Sequence, residues 1–169
     1  MKKNLVLTGM MGVGKSTIAK NLAKKLSYTF IDIDKVIQKY QGTSINIIFK
    51  NKGENYFRMI EKKITIKELS KVNSVLALGG GAFLNKNIRR KVKETSASFW
   101  LDVNVNMLVK RLKKSKKRPL LFGKNLNEAI NKMYLERKKT YSKADFKIKC
   151  DFLKQHLITD KIEKLYENT

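Results

Sequence analysis

Gly9-Met10-Met11-Gly12-Val13-Gly14-Lys15-Ser16 is the stretch on which the reading of this chain turns. It follows an apolar run, Asn4-Leu5-Val6-Leu7-Thr8, and Thr17 continues into an amphipathic segment that reaches Leu26. A strand, a turn of the pattern GxxxxGK[ST] and a helix together make a cradle for phosphate. The glycines let the backbone turn tightly and aim its N–H groups inward. The helix N-terminus adds unpaired donors and a partial positive charge. In such a cradle Gly12, Val13, Gly14, Lys15, Ser16 and Thr17 wrap the phosphates of a nucleotide. Lys15 reaches the β- and γ-phosphates, and the Ser16 hydroxyl binds Mg²⁺.

Outward from this loop, short apolar runs alternate with helix-length amphipathic stretches. Strands are predicted at residues 4–8, 29–32, 74–78, 98–102 and 146–150. Helices are predicted at residues 15–26, 35–40, 54–69, 86–95, 106–113, 126–141 and 159–167. That alternation argues for a parallel sheet covered on both faces, in one α/β domain spanning residues 1–169. One proline, no internal repeat and no Gly/Ser linker interrupt it.

The charge is large: 38 Lys+Arg against 14 Asp+Glu, a formal +24. Such an excess points first to a polyanion or an anionic membrane surface. Only six of the positives are arginine, the residue suited to bidentate phosphate and guanine contacts, and the lysines run from Lys2 to Lys164 without clustering. The expectation is therefore no nucleic-acid and no membrane partner. A single cysteine, Cys150, and a single histidine, His156, exclude an intrachain disulfide and His-rich zinc sites. The N-terminal apolar run is too short for a signal sequence, so a cytoplasmic setting is expected.

With carboxylates scarce, their placement is informative. Asp32 and Asp34 end the second predicted strand, and at period two an extended Asp-x-Asp puts both on one face. There one carboxylate could hold a metal-bound water and the other accept a hydroxyl proton; the competing reading has Asp34 capping the helix from Lys35. Arg58 and Glu61 lie three apart on a helix, as a pair that presents the guanidinium or as a solvated surface pair. The third strand runs into Gly79-Gly80-Gly81, which suits either close approach of a ligand or a flexible connection.

Taken in order, these features resemble the shikimate kinase family over nearly the whole chain. The resemblance rests on the phosphate loop, Phe30-x-Asp32-x-Asp34, Gly53-Glu54-x-x-Phe57-Arg58-x-x-Glu61 and Gly79-Gly80-Gly81. It continues through Trp100-Leu101, Arg111, Arg118-Pro119-Leu120-Leu121 and Glu136-Arg137 with Tyr141 and Ala144. It implies a P-loop NTPase fold, a three-layer α/β/α sandwich with a five-stranded parallel sheet. A helical substrate-binding subdomain at about 33–61 and a lid at about 113–124 come with it. The implied reaction is ATP-dependent phosphorylation of the shikimate 3-hydroxyl, with Mg²⁺ as cofactor, on the route to chorismate and aromatic amino acids. Carried over, Asp34 and the backbone at Gly80 hold ring hydroxyls, Arg58 and Arg137 hold the carboxylate, and Gly79 and Gly81 shape the pocket. Lys15, Asp34 and Arg118 are the expected catalytic residues; Arg111 resembles the arginine that stacks on adenine, and Asp32 joins Ser16 at the metal. A monomer acting on ATP and shikimate is expected, with a gluconate kinase of the same superfamily or a basic nucleic-acid-binding protein as the alternatives. The segment from Cys150 to Thr159, where the adenine contacts should lie, carries no recognisable pattern.

Overall fold

A computed structural model of the chain describes residues 4–113, 125–151 and 153–169. Five strands form one sheet: β1 (Asn4–Thr8), β2 (Thr29–Asp32), β3 (Ser74–Ala77), β4 (Ser96–Asp102) and β5 (Phe146–Lys149). Their spatial order is β2-β3-β1-β4-β5, and every pairing is parallel. Among the described residues the helices are α1 (Lys15–Leu26), α2 (Ile33–Gln41), α3 (Ile45–Leu69), α4 (Lys86–Thr95), α5 (Val105–Lys113), α6 (Leu126–Tyr141) and α7 (Gln155–Glu167). The expected five-stranded α/β architecture is what the chain adopts.

The central strands are apolar on both faces because helices cover both. Every residue of β1 and β3 is buried, and all of β4 except Asp102. Helix α1 packs on β2 and β3 and is itself covered by α7, while α4 packs on β4. The lower end of the sheet is tied by Asn4, which is almost fully buried. Its amide donates to the Lys71 carbonyl at 2.5 Å and accepts from the Ser74 N–H at 3.0 Å, so the end of α3 is held to the start of β3. At the other side Asp145 accepts from the N–H and hydroxyl of Ser98 at 2.8 and 2.7 Å, which sets the β4–β5 register.

Two local features depart from the sequence reading. The second strand stops at Asp32, not Asp34: Asp32 has extended dihedrals and accepts from the Lys35 N–H at 3.3 Å as the N-cap of α2, while Asp34 sits in the first helical turn. The Asp-x-Asp pair is therefore not one face of a strand, and the capping residue is the first aspartate rather than the second. The helix expected from Glu54 instead begins at Ile45, where the Ser44 hydroxyl accepts from the Ile47 N–H, and it kinks at Gly53 (φ 77°, ψ 173°). A glycine that breaks regular dihedrals reads as a boundary in sequence, yet here helical turns lie on both sides of it.

Because β1 lies between β3 and β4, the chain leaves the sheet in opposite directions on either side of it, and ligands of open parallel sheets bind at the carboxyl ends of such strands. The Asn4 clamp holds the opposite end. Asn4→Ala should destabilise the protein by about 1–3 kcal/mol, since it leaves the buried Ser74 N–H without its acceptor. Chemical unfolding of the variant measures this, and an unchanged midpoint would show that the clamp contributes nothing.

Candidate active site

Where β1 ends, the backbone enters the left-handed region at Gly9 (φ 133°), Gly12 (φ 79°) and Gly14 (φ 98°). No side chain caps α1, and its first turn carries no acidic residue. The positive end of the helix therefore faces the turn, with Lys15 as its first residue. Lys15 is buried, and its ammonium donates to the carbonyls of Gly9 and Met10 at 2.8 and 2.9 Å.

Two cavities flank this loop, and both are lined by Gly12 and Gly14. The first, of about 270 Å³, gathers Lys15, Ser16 and Thr17 with Asp32, Asp34 and Gly80. Thus the two aspartates do face one cavity, although strand geometry is not what puts them there. The second, of about 280 Å³, is bounded by Arg111 and by Cys150, Leu153, Gln155 and Ile158. Arg111 donates to the Val13 carbonyl at 3.4 Å, which sets its guanidinium beside the loop. Cys150 is buried and its thiol contacts the Ile148 carbonyl at 3.2 Å; burial pushes its pKa up to about 12. The C-terminal lining had no motif to announce it. Only the sheet order, which sets the end of β5 beside β4 and the phosphate loop, brings it there.

Beside the first cavity, side chains from three helices, α2, α3 and α6, converge on the triple glycine. Arg58, from α3, donates to Glu61 at 2.7 Å and to Glu54 at 3.1 and 3.2 Å. A Cβ at Gly81 would fall inside contact distance of all three terminal atoms of that guanidinium, so the bare backbone is what lets Arg58 pass. A Cβ at Gly79 would lie 2.7 Å from Asp34 Oδ1 and 2.8 Å from Glu61 Oε1. Two carboxylates thus press on one glycine. Arg137, from α6, donates to the Gly80 carbonyl at 3.2 Å, and the Tyr141 hydroxyl donates to the same oxygen.

Glu61 is the residue that orders this corner. It is buried, its Oε2 is held by Arg58, and its Oε1 has no hydrogen-bond partner among the described residues. Burial drives its carboxyl above the ordinary range; Arg58 opposes the shift and the neighbouring Asp34 adds to it. Arg58 is therefore held between the buried Glu61 and the exposed Glu54, not in a solvated surface pair alone.

The match to known proteins decides the family. The family model described as shikimate kinase covers residues 11–166. The chain belongs to the shikimate kinase family. A shikimate kinase of Persephonella marina is 40% identical over 160 residues, covering 95% of this chain and 96% of that protein. The solved structure of the Acinetobacter baumannii shikimate kinase, in complex with shikimate, is 30% identical, superposes with a TM-score of 0.93 and covers 98% of this chain and 93% of that one. A gluconokinase of Sinorhizobium meliloti shares only the fold, at 17% identity and a TM-score of 0.62, covering 99% of this chain and 95% of that one.

Of the site residues expected from the sequence, Lys15, Ser16, Thr17, Asp32, Asp34 and Gly80 meet in one cavity, and Arg58, Gly79, Gly81 and Arg137 meet beside it. Gly12, Val13 and Arg111 line the other cavity. Arg118 and nearly all of the expected lid at about 113–124 lie outside the described residues.

The raised Glu61 carboxyl has a sign. The folded chain binds that proton more tightly than the unfolded chain does, so its contribution is complete below the unfolded value and is lost as pH rises through the native one. Relative to Glu61→Gln, the wild type should lose stability across that window and run parallel to it outside. Urea unfolding of both proteins along a pH series measures the difference; a gap that stays constant with pH would contradict the assignment.

Proposed function

We propose that the protein transfers the γ-phosphoryl of ATP to the 3-hydroxyl of shikimate, giving shikimate 3-phosphate and ADP on the route to chorismate and the aromatic amino acids. The observation that carries this reading is the meeting of Asp34, Arg58 and Arg137 at the 79–81 turn, beside a cavity that also holds Lys15 and Ser16. Shikimate offers a carboxylate at one end and hydroxyls at the other. Guanidinium forks suit the first, and a carboxylate with backbone groups suits the second.

In this reading Arg58 and Arg137 grip the carboxylate, while Asp34 and the Gly80 backbone orient the hydroxyls. Gly79 and Gly81 keep the pocket open. Asp34 accepts a hydrogen bond from the attacking 3-hydroxyl and aims its oxygen at the γ-phosphorus. In-line transfer through a loose transition state asks chiefly for positioning and charge stabilisation. Lys15 exchanges its loop carbonyls for the β- and γ-phosphate oxygens. The backbone of Gly12, Val13 and Gly14, with Thr17, surrounds the phosphates, and Arg111 covers the base in the second cavity. Arg118, within the expected lid, is assigned to the transferring phosphoryl from the sequence alone.

Among the described residues no three His, Cys, Asp or Glu side chains group to cage a metal. The first cavity instead offers hard oxygens, the Ser16 hydroxyl and the Asp32 carboxylate. Mg²⁺ takes one or two protein oxygens and fills its octahedron with phosphate and water, so this donor set fits it. When bound there it neutralises charge on the phosphates. Ser16 would ligate it directly and Asp32 would order its waters.

Residues 1–169 act as one catalytic unit in this reading, a cytoplasmic monomer with neither nucleic acid nor membrane as partner. No described helix is long and apolar enough to cross a membrane.

A coupled ADP-release assay tests the site. Asp34→Asn should lower turnover by about 10² or more. Arg58→Lys keeps a cation beside Glu61 but loses the planar fork, and it should raise the KM for shikimate at least tenfold or so with the KM for ATP nearly unchanged. Wild-type kinetics in both variants would place the acceptor elsewhere, and transfer to gluconate with none to shikimate would overturn the assignment.

A further inference from the structure

The carbonyl of Gly80 receives two donors from one helix. Arg137 Nη1 reaches it at 3.2 Å, and the Tyr141 hydroxyl reaches it from one turn further along α6. Residues four apart on a helix share a face, so α6 grips this oxygen at two successive turns. A Cβ on Gly80 would meet the Met11 backbone nitrogen at 3.4 Å, Arg137 Nη1 at 3.7 Å and the Gly9 carbonyl at 3.9 Å. The Gly80 backbone is thus sandwiched between the phosphate loop and α6.

The two donors differ in kind. Arg137 is long, partly exposed and, in the reading above, has a substrate carboxylate to hold. Tyr141 is fully buried, with its ring 6.0 Å from that of Trp100 and its hydroxyl 3.9 Å from Met10 Sδ. Wedged between β4 and the phosphate loop, its hydroxyl cannot turn to water, and a buried phenol needs a partner. Its burial also raises its pKa, so it stays a donor throughout the neutral range.

We propose that Tyr141 is a positioning residue for the acceptor. Its hydroxyl fixes the Gly80 backbone against the phosphate loop in the orientation that meets a substrate hydroxyl, and it keeps that carbonyl satisfied when Arg137 turns to the substrate carboxylate. The inference rests on the reading that puts shikimate at Gly80. Tyr141 belongs to the pattern quoted with Glu136-Arg137, but that pattern gives the phenol no role.

Tyr141→Phe keeps the ring packed on Trp100 and Met10 and removes only the donor. In the full chain it should raise the KM for shikimate about three- to tenfold, the effect of one buried hydrogen bond, with the KM for ATP within about twofold of wild type. Trp100 is the only tryptophan and lies against Tyr141, so its fluorescence during a shikimate titration gives a direct Kd, which should weaken by the same factor. A purely structural role would lower the thermal midpoint and leave shikimate affinity alone, or weaken both substrates equally; either result overturns the proposal. Arg58→Lys, run alongside, separates the two levels. If it weakens shikimate while Tyr141→Phe does not, the acceptor site stands and Tyr141 has no part in it. If neither does, the acceptor site is wrong and the proposal goes with it.

Discussion

At position 9 there is no room for a side chain. A Cβ there would lie 2.5 Å from the Leu101 carbonyl oxygen, and the backbone is held at φ 133°, where L-residues are strained. This one close passage of the phosphate loop over the end of β4 sets the remaining geometry. It lets β1 turn straight into α1, so that the helix starts with its N–H groups pointing back over the sheet. It also brings Leu101 and Trp100 under the loop, and with them Tyr141 and the end of α6. Without that contact the nucleotide side and the acceptor side would have no common floor.

The central strands were legible in the sequence because strands buried on both faces need apolar runs, as in β1, β3 and β4; the edge strands β2 and β5 are half-exposed and announce themselves only by short apolar stretches between helices. The phosphate loop was legible because its chemistry is local: eight consecutive residues carry it. The acceptor side was less so. Arg58 and Arg137 are far apart in sequence, and only the family pattern joined them before the fold put both on the triple glycine. Asp32 and Asp34 were found for a partly mistaken reason, since the strand ends two residues too early for an extended pair. The turns of α3 before Gly53 were missed because a glycine with strand-like ψ looks like an end. The lining beyond β5 was unreadable because a cavity wall can be built from Leu, Gln or Ile alike, with no spacing to betray it.

The +24 charge also looks different in three dimensions. Many of the few carboxylates are committed: Glu54 and Glu61 to Arg58, Asp102 to Lys147 and Tyr134, Asp145 to Ser98, Asp160 and Glu163 to Lys25. The surplus lysines set up a positive field around a site whose ligands, ATP and shikimate, are both anions, and such a field favours their encounter. In the proposed reading the specific grip belongs to the arginines, because a fork held in place can make two parallel hydrogen bonds to a planar carboxylate, which an ammonium cannot.

Cys150 gives the second cavity a chemical character of its own. The only thiol of the chain borders that space, yet burial, with Asp151 and Asp102 nearby, pushes its pKa up and keeps it protonated at neutral pH. Alkylation, disulfide exchange and peroxide oxidation all proceed through the thiolate. The cavity wall is therefore sulfur in its least reactive form, behaving as a small soft hydrophobe that a flat ring can rest against.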